Sequence, residues 1–273
     1  MCIRDRVGTS IATGQAGAAA WLYYADRLYQ LPMGVIGVAL SVALLPALAR
    51  HLANRETAAA HGAQDMAVLA GFGLTVPAAV GLAVLALPIV TLLFERGAFS
   101  AVDSALTAQL IAVFSCGLPA FVLVKALQPS FFARQDTRAP LFDGAIGVGV
   151  NITLSLALFP SYGAPAIAFA TVMAGWVTVT LMLWRMARRG IYHLSMPLLR
   201  RLAAQFVAAA LMGWALYEAA RSVPPPLTPA DSLSALAVWL GVFIAGGALV
   251  YGLAVIALGG LRRADIGLLR GSR

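Results

Sequence analysis

One run of the chain, WLYYADRLYQLPMGVIGVALSVALLPALAR from Trp21 to Arg50, is apolar except for an adjacent acid and base, Asp26 and Arg27. A charge at the bilayer centre costs about 2.5–3.5 kcal/mol on insertion scales. Such a pair must therefore face a cavity, a partner helix or the membrane surface. At helical spacing Tyr23, Arg27 and Gln30 share one face, and Asp26 points about 100° away. A guanidinium stays charged when buried and grips two phosphate oxygens at once. This makes Arg27 a candidate anion binder, with Tyr23 and Gln30 beside it and Asp26 either orienting it or pairing with another helix. A second arrangement is open: a helix beginning near residue 17 would put the pair only a few turns deep, where it could snorkel to the interface.

A second stretch, LVKALQPSFFARQDTRAP from Leu123 to Pro140, sets Lys125 near a helix end, then an aromatic pair, then Arg134, Asp136 and Arg138. These cations read either as a loop obeying the positive-inside rule or as a gate or lipid-headgroup contact. Asn151, Ser155 and Thr171 are isolated polar residues in two neighbouring runs. They suit helix–helix hydrogen bonding, with a sodium site as the weaker alternative because no carboxylate stands with them. Asp143, close to the start of its run, is expected within reach of water. Glu218, near a run's end, receives no role.

Catalytic chemistry is not indicated. His51, His61 and His193 stand in no metal or nucleophile arrangement. No phosphate loop ends in Lys-Ser/Thr, and no acidic cluster of the kind membrane transferases use is present. Two cysteines, Cys2 and Cys116, suggest neither a disulfide nor a metal site. No cofactor is expected.

The elements that must position these residues are membrane helices. The chain has 273 residues, 61% hydrophobic and only 11% charged, against roughly a quarter charged in soluble domains. Seven runs approach the 20 or so residues needed to cross a bilayer: Trp21–Ala49, Met66–Phe94, Ser104–Leu127, Leu141–Phe159, Ala164–Trp184, Leu202–Ala220 and Ser234–Leu261. Val7–Ala20 reads as the stump of a preceding helix. The fold class is all-α and polytopic. Prolines and glycines inside the runs fit close packing and kinks; Pro32, one turn past Leu28, is the best hinge candidate.

The net charge is +8. The connections alternate, with arginines gathered in the first, third and fifth and at the C-terminus. Topology, rather than nucleic-acid binding, accounts for that pattern. The positive-inside rule makes those ends and the C-terminus cytoplasmic. The first full helix then starts outside, which calls for an earlier helix. Residues 1–6, MCIRDR, lack an apolar core after their charges and read as a non-native leader.

YYADRLYQLPMGVIGVAL…LLPALAR followed by FFARQDTRAP closely resembles the lipid II flippase (MurJ, or MviN) family of the multidrug/oligosaccharidyl-lipid/polysaccharide (MOP) exporter superfamily. The resemblance covers residues 7–273. It implies the second half of a fourteen-helix transporter: residues 7–190 as the C-terminal lobe and 191–273 as an extra helix pair lining a groove for the lipid tail, with the N-terminal lobe as the missing partner. It implies that Arg27 is the cavity arginine of the eighth helix. Some relatives carry glutamate at the position of Gln30, and sodium-binding relatives a carboxylate where this chain has Ser155. The implied activity is alternating-access translocation of lipid II, or a related anionic polyprenyl-diphosphate lipid, across the bacterial inner membrane, with membrane lipids as the other partners. The rivals are a polysaccharide or drug exporter of the same superfamily and a non-transporting membrane scaffold.

Overall fold

The computed structural model describes residues 12, 14, 15, 17–226 and 233–260. The leader 1–6, half of the stump Val7–Ala20 and the C-terminal arginines from Arg262 onward lie outside the described residues. The described residues form nine helices and no strand: α1 Ala18–Ala53, α2 Thr57–Val84, α3 Ala86–Phe94, α4 Ala101–Ser115, α5 Leu118–Phe132, α6 Arg138–Tyr162, α7 Ala164–Arg188, α8 Met196–Ser222 and α9 Leu233–Ala257. Six are long and apolar enough to cross a membrane, and α4 with α5 makes a seventh span bent by 41°. The seven expected spans are therefore present.

Two are broken close to a proline. Pro88 cannot donate to the carbonyl one turn earlier and its ring crowds that carbonyl. The expected span Met66–Phe94 accordingly breaks at Leu85, between α2 and the short α3. The expected span Ser104–Leu127 is wider, Ala101 to Phe132, and bends at Cys116–Gly117, just before Pro119. The carbonyl of Cys116 freed at that bend accepts from the indole of Trp176 at 3.1 Å. By contrast α1 runs unbroken through Pro32 and Pro46.

Local chemistry sets the helix ends. Ser100 and Asp103 form a reciprocal capping box at the start of α4. Ser195 caps α8 through Leu198 N–H. Asp136 accepts from Ala139 N–H at 3.0 Å and so opens α6. That bond, joined by Arg189, holds its carboxyl below the usual carboxylate range. Gly163 is the whole connection between α6 and α7, and its φ of 62° and ψ of −144° are open only to glycine.

The seven spans alternate in direction, and the side-chain contacts group their ends into two sets. At the arginine-poor end, Trp21 of α1 donates to Asp103 of α4 at 2.7 Å, and Tyr24 packs against Phe94 and Phe99. At the arginine-rich end, His61 and Asp65 of α2 hold the α7–α8 connection through the carbonyl of Ile191 (2.8 Å) and the hydroxyl of Tyr192 (2.6 Å). Burial and that carboxylate raise the Tyr192 pKa, so it stays a hydrogen donor. α1 packs on α2, α4 and α5. The last two helices dock on α2: buried Gln205 of α8 donates to Leu69 O at 3.2 Å, and Tyr251 of α9 donates to Gly73 O at 2.6 Å.

Candidate functional site

Arg27 lies about two and a half turns into α1, because the helix starts at Ala18 rather than Trp21. It is exposed. Its Nη2 donates to the Tyr23 hydroxyl at 3.3 Å, and its guanidinium carbon lies 5.0 Å from the centroid of that ring. Tyr23 and Arg27 thus meet on one face as their spacing predicts. Gln30 does not join them: its amide donates to Asp26, making a second i,i+4 pair on the adjoining face.

The face that carries Tyr23 and Arg27 continues as Leu31, Val35, Val38 and Val42, all exposed, with Val35 at 74%. The opposite side is packed: Tyr29 is fully buried and stacks on Phe114 at 4.9 Å. Neighbours on α2, α4 and α5 therefore hold α1 on one side and leave the arginine-bearing stripe uncovered.

Beside that stripe lies an apolar cavity of about 360 Å³. Leu28 and Leu31 of α1, Pro77 and Leu82 of α2, Leu216 of α8 and Ile244 of α9 line it. Leu28 and Leu31 are within about one turn of Arg27. α8 and α9 supply one side of its lining. In the sequence this groove is reachable only through the family resemblance, since its lining is ordinary apolar residues from separate helices.

The other candidate residues separate. Lys125 does not lie near a helix end. α5 continues to Phe132, so Lys125 stands in mid-helix with its aliphatic stem against Gly37 of α1. Arg134 folds back on its own helix, Nη1 donating to Ser130 O at 2.8 Å. Arg138 is exposed at the start of α6. Both sit at the arginine-rich end, remote from Arg27. Asn151 Nδ2 donates to Thr171 Oγ1 at 3.0 Å, and Thr171 in turn to Ile167 O at 2.9 Å. Ser155 Oγ is buried on the same face of α6, with no hydrogen-bond partner among the described residues. Asn151 and Thr171 tie α6 to α7, and no carboxylate is seen with these three among the described residues.

Asp143 corrects its expectation. It is 0% exposed, and Arg185 of α7 grips it through two bonds, Nη2 at 2.6 Å and Nε at 3.2 Å. The helix start near water holds this carboxylate only because an arginine across the hairpin covers it. That partner, 42 residues away, is not readable from spacing. Asp136 pairs likewise with Arg189, so two ion pairs hold α6 to α7 at the arginine-rich end.

Comparison with known proteins agrees with this geometry. The family model described as "Lipid II flippase MurJ" matches residues 2–237. A Rhizobium meliloti protein named "Probable lipid II flippase MurJ" is 42% identical over 97% of this chain, and one from Rhizobium tropici is 40% identical over 97%. The chain spans about half the length of these relatives, 49% of each. A solved structure described as "Lipid II flippase MurJ, inward closed conformation" superposes with a TM-score of 0.75 at 23% identity, over 92% of this chain and 50% of that one. A structure described as "MATE in the bent conformation" superposes at 0.63 and 14% identity, over 94% and 60%. With the family model matching most of its length, this membrane-spanning chain belongs to the lipid II flippase MurJ family.

Proposed function

We propose that this chain supplies one wall of a transporter that carries lipid II, or a related anionic polyprenyl-diphosphate lipid, from the inner to the outer leaflet of a bacterial inner membrane. The observation that carries this reading is a cation and an apolar groove side by side: Arg27 on the uncovered face of α1, and the cavity of about 360 Å³ one turn away. A diphosphate lipid needs both. The guanidinium meets the diphosphate oxygens, and the groove shelters part of the polyprenyl chain from headgroups and water.

The uncovered stripe of α1 is where the second wall belongs, formed by the N-terminal lobe of the same protein. Residues 7–190 make the C-terminal lobe and 191–273 the extra pair. The arginine-rich ends lie on the cytoplasmic side by the positive-inside rule, with the C-terminus inside. Arg134 and Arg138 there meet lipid headgroups at the cytoplasmic mouth. A membrane negative inside favours outward passage of each negative charge by about 2.3 kcal/mol per 100 mV. Rocking of the two lobes around the cavity exposes it alternately.

The test is Arg27→Ala in a full-length protein made by joining this chain to the N-terminal half of its Rhizobium meliloti relative. Lipid II reaching the outer leaflet of flippase-depleted cells is read by cleavage with an external lipid II hydrolase. The expected result is loss of flipping and of growth rescue. Normal flipping would remove Arg27 from the mechanism. The fold shared with a MATE structure gives the second reading, export of another substrate by the same architecture. Export of a cationic drug by the joined protein, with no rescue of flippase-depleted cells, would favour it. Failure of both transport and rescue would favour a scaffold.

A further inference from the structure

We infer that α2 carries a hinge at Gly73–Pro77 that the helix pair α8–α9 splints, and that an apolar chain entering the groove releases it. For its ligand this rests on the lipid-transport reading above.

The hinge begins in the sequence. Pro77 has no N–H, so the carbonyl of Gly73, one turn earlier, loses its helical donor, and the proline ring crowds that same carbonyl. A helix so interrupted bends open on the face that carries the proline. Yet α2 runs unbroken from Thr57 to Val84. A carbonyl freed inside a membrane needs another donor, and a different helix supplies it: the Tyr251 hydroxyl of α9 donates to Gly73 O at 2.6 Å. Neighbouring carbonyls also receive side-chain donors. Gln205 Nε2 of α8 donates to Leu69 O at 3.2 Å, and Thr75 Oγ1 of α2 itself to Gly71 O at 2.7 Å. A threonine bonded back in this way favours bending of its helix. The middle of α2 is therefore a weakened ladder held straight from outside.

The splint stands at the edge of the groove. Pro77 lines the cavity on α2, and Gly247 and Ala248 line it on α9, one turn from Tyr251. A chain that fills the cavity wedges α2 and α9 apart beside the bond that joins them. Gln205 Oε1 is buried next to Gly73 with no hydrogen-bond partner among the described residues. It offers the Tyr251 hydroxyl a second acceptor, which lowers the cost of leaving Gly73 O. Once released, α2 opens on its proline face, which is the groove face, and its outer arm swings away from α9. Filling of the groove thereby changes the shape of the lobe.

The experiment uses the joined full-length protein in a cysteine-free background, with spin labels at Ala83→Cys on the outer arm of α2 and Val242→Cys on α9. The arm from Pro77 to Ala83 is about 9 Å long, so a bend of about 30° moves its label by about 4–5 Å. Undecaprenyl phosphate should lengthen the distance between the labels by that amount. Tyr251→Phe, which removes only the hydroxyl, should lengthen it equally without lipid. Pro77→Ala returns a helical donor to Gly73 O. It should abolish the lengthening in both cases and lower flipping at least fivefold at equal folded protein in the membrane. An unchanged distance in Tyr251→Phe or with undecaprenyl phosphate, lengthening that survives Pro77→Ala, or full flipping by Pro77→Ala each overturns the inference. The parent reading is scored apart. If the labels respond as expected while the joined protein flips no lipid II, the hinge stands and the lipid II reading falls. If lipid II is flipped and the labels do not respond, only the hinge falls.

Discussion

At the scale of single residues, the charged groups divide by whether a fixed partner answers them. Asp143 is answered completely: a buried carboxylate in two-point contact with Arg185. Removing one member of a buried pair is worth about 3–5 kcal/mol, and the part-exposed Arg185 brings the expectation down to about 2 kcal/mol. Asp143→Ala should therefore lower the thermal midpoint of the detergent-solubilised protein by several degrees. Asp143→Ala with Arg185→Ala should recover part of that loss, because the stranded guanidinium goes with it. An unchanged midpoint in the single variant would mean that the bridge carries no stability. Arg27, by contrast, is answered among the described residues only by a phenol four residues away, and a phenol does not neutralise a guanidinium. On the proposed reading, a site that receives an anion needs that deficit.

At the scale of elements, what decides the site is how closely helices approach. Gly73 of α2 shows the point. A methyl group there would sit 2.7 Å from Gln205 Nε2 and 3.1 Å from its Cδ, at the place where α8 docks. Gly73→Val should push α8 outward, break the Gln205 bond to Leu69 O and widen the groove. The expected readout is weaker binding of a polyprenyl-phosphate probe, at least fivefold, at equal folded protein in the membrane. Equal probe binding would mean that the pair α8–α9 does not shape the groove. The same scale shows what the sequence could reveal. All seven spans were legible, because a bilayer crossing demands a run of about 20 apolar residues and soluble folds seldom contain one. Arg27 with Tyr23 was legible too, since both lie on one helix and helical spacing fixes their relation. The bends were not placed. Pro88 and Pro119 break their helices while Pro32 does not, and that depends on which neighbours, such as Trp176, satisfy the freed backbone groups. Lys125 was misplaced for a related reason: along one sequence a charge looks like the end of an apolar run, whereas Gly37 on another helix makes room for its stem in the middle of α5. Relations between helices leave no periodic trace in one sequence.

At the scale of the whole molecule, the uncovered face of α1 and the share of the relatives covered point to the same arrangement. Leu31, Val35, Val38 and Val42 alone would suit contact with lipid tails. Arg27 on their stripe would not, because a cation is costly against hydrocarbon unless it reaches the interface. On the proposed reading the stripe borders protein and water. The chain spans 49% of each Rhizobium relative, and on the proposed reading this surface meets a second lobe. The two halves should then complement each other in trans. This chain expressed alone should not rescue flippase-depleted cells. Co-expressed with the N-terminal half of the Rhizobium meliloti relative as a separate chain, it should restore growth and lipid II exposure. A cysteine at Val38, in a cysteine-free chain, should react with a water-soluble thiol reagent both alone and with the partner half present, because the cavity stays wet. A cysteine at Leu156, on the exposed side of α6, should react in neither, because that side meets lipid. Reversal of that pattern would place the lipid against α1 and dismiss the cavity there. Rescue by this chain alone would show that one wall suffices.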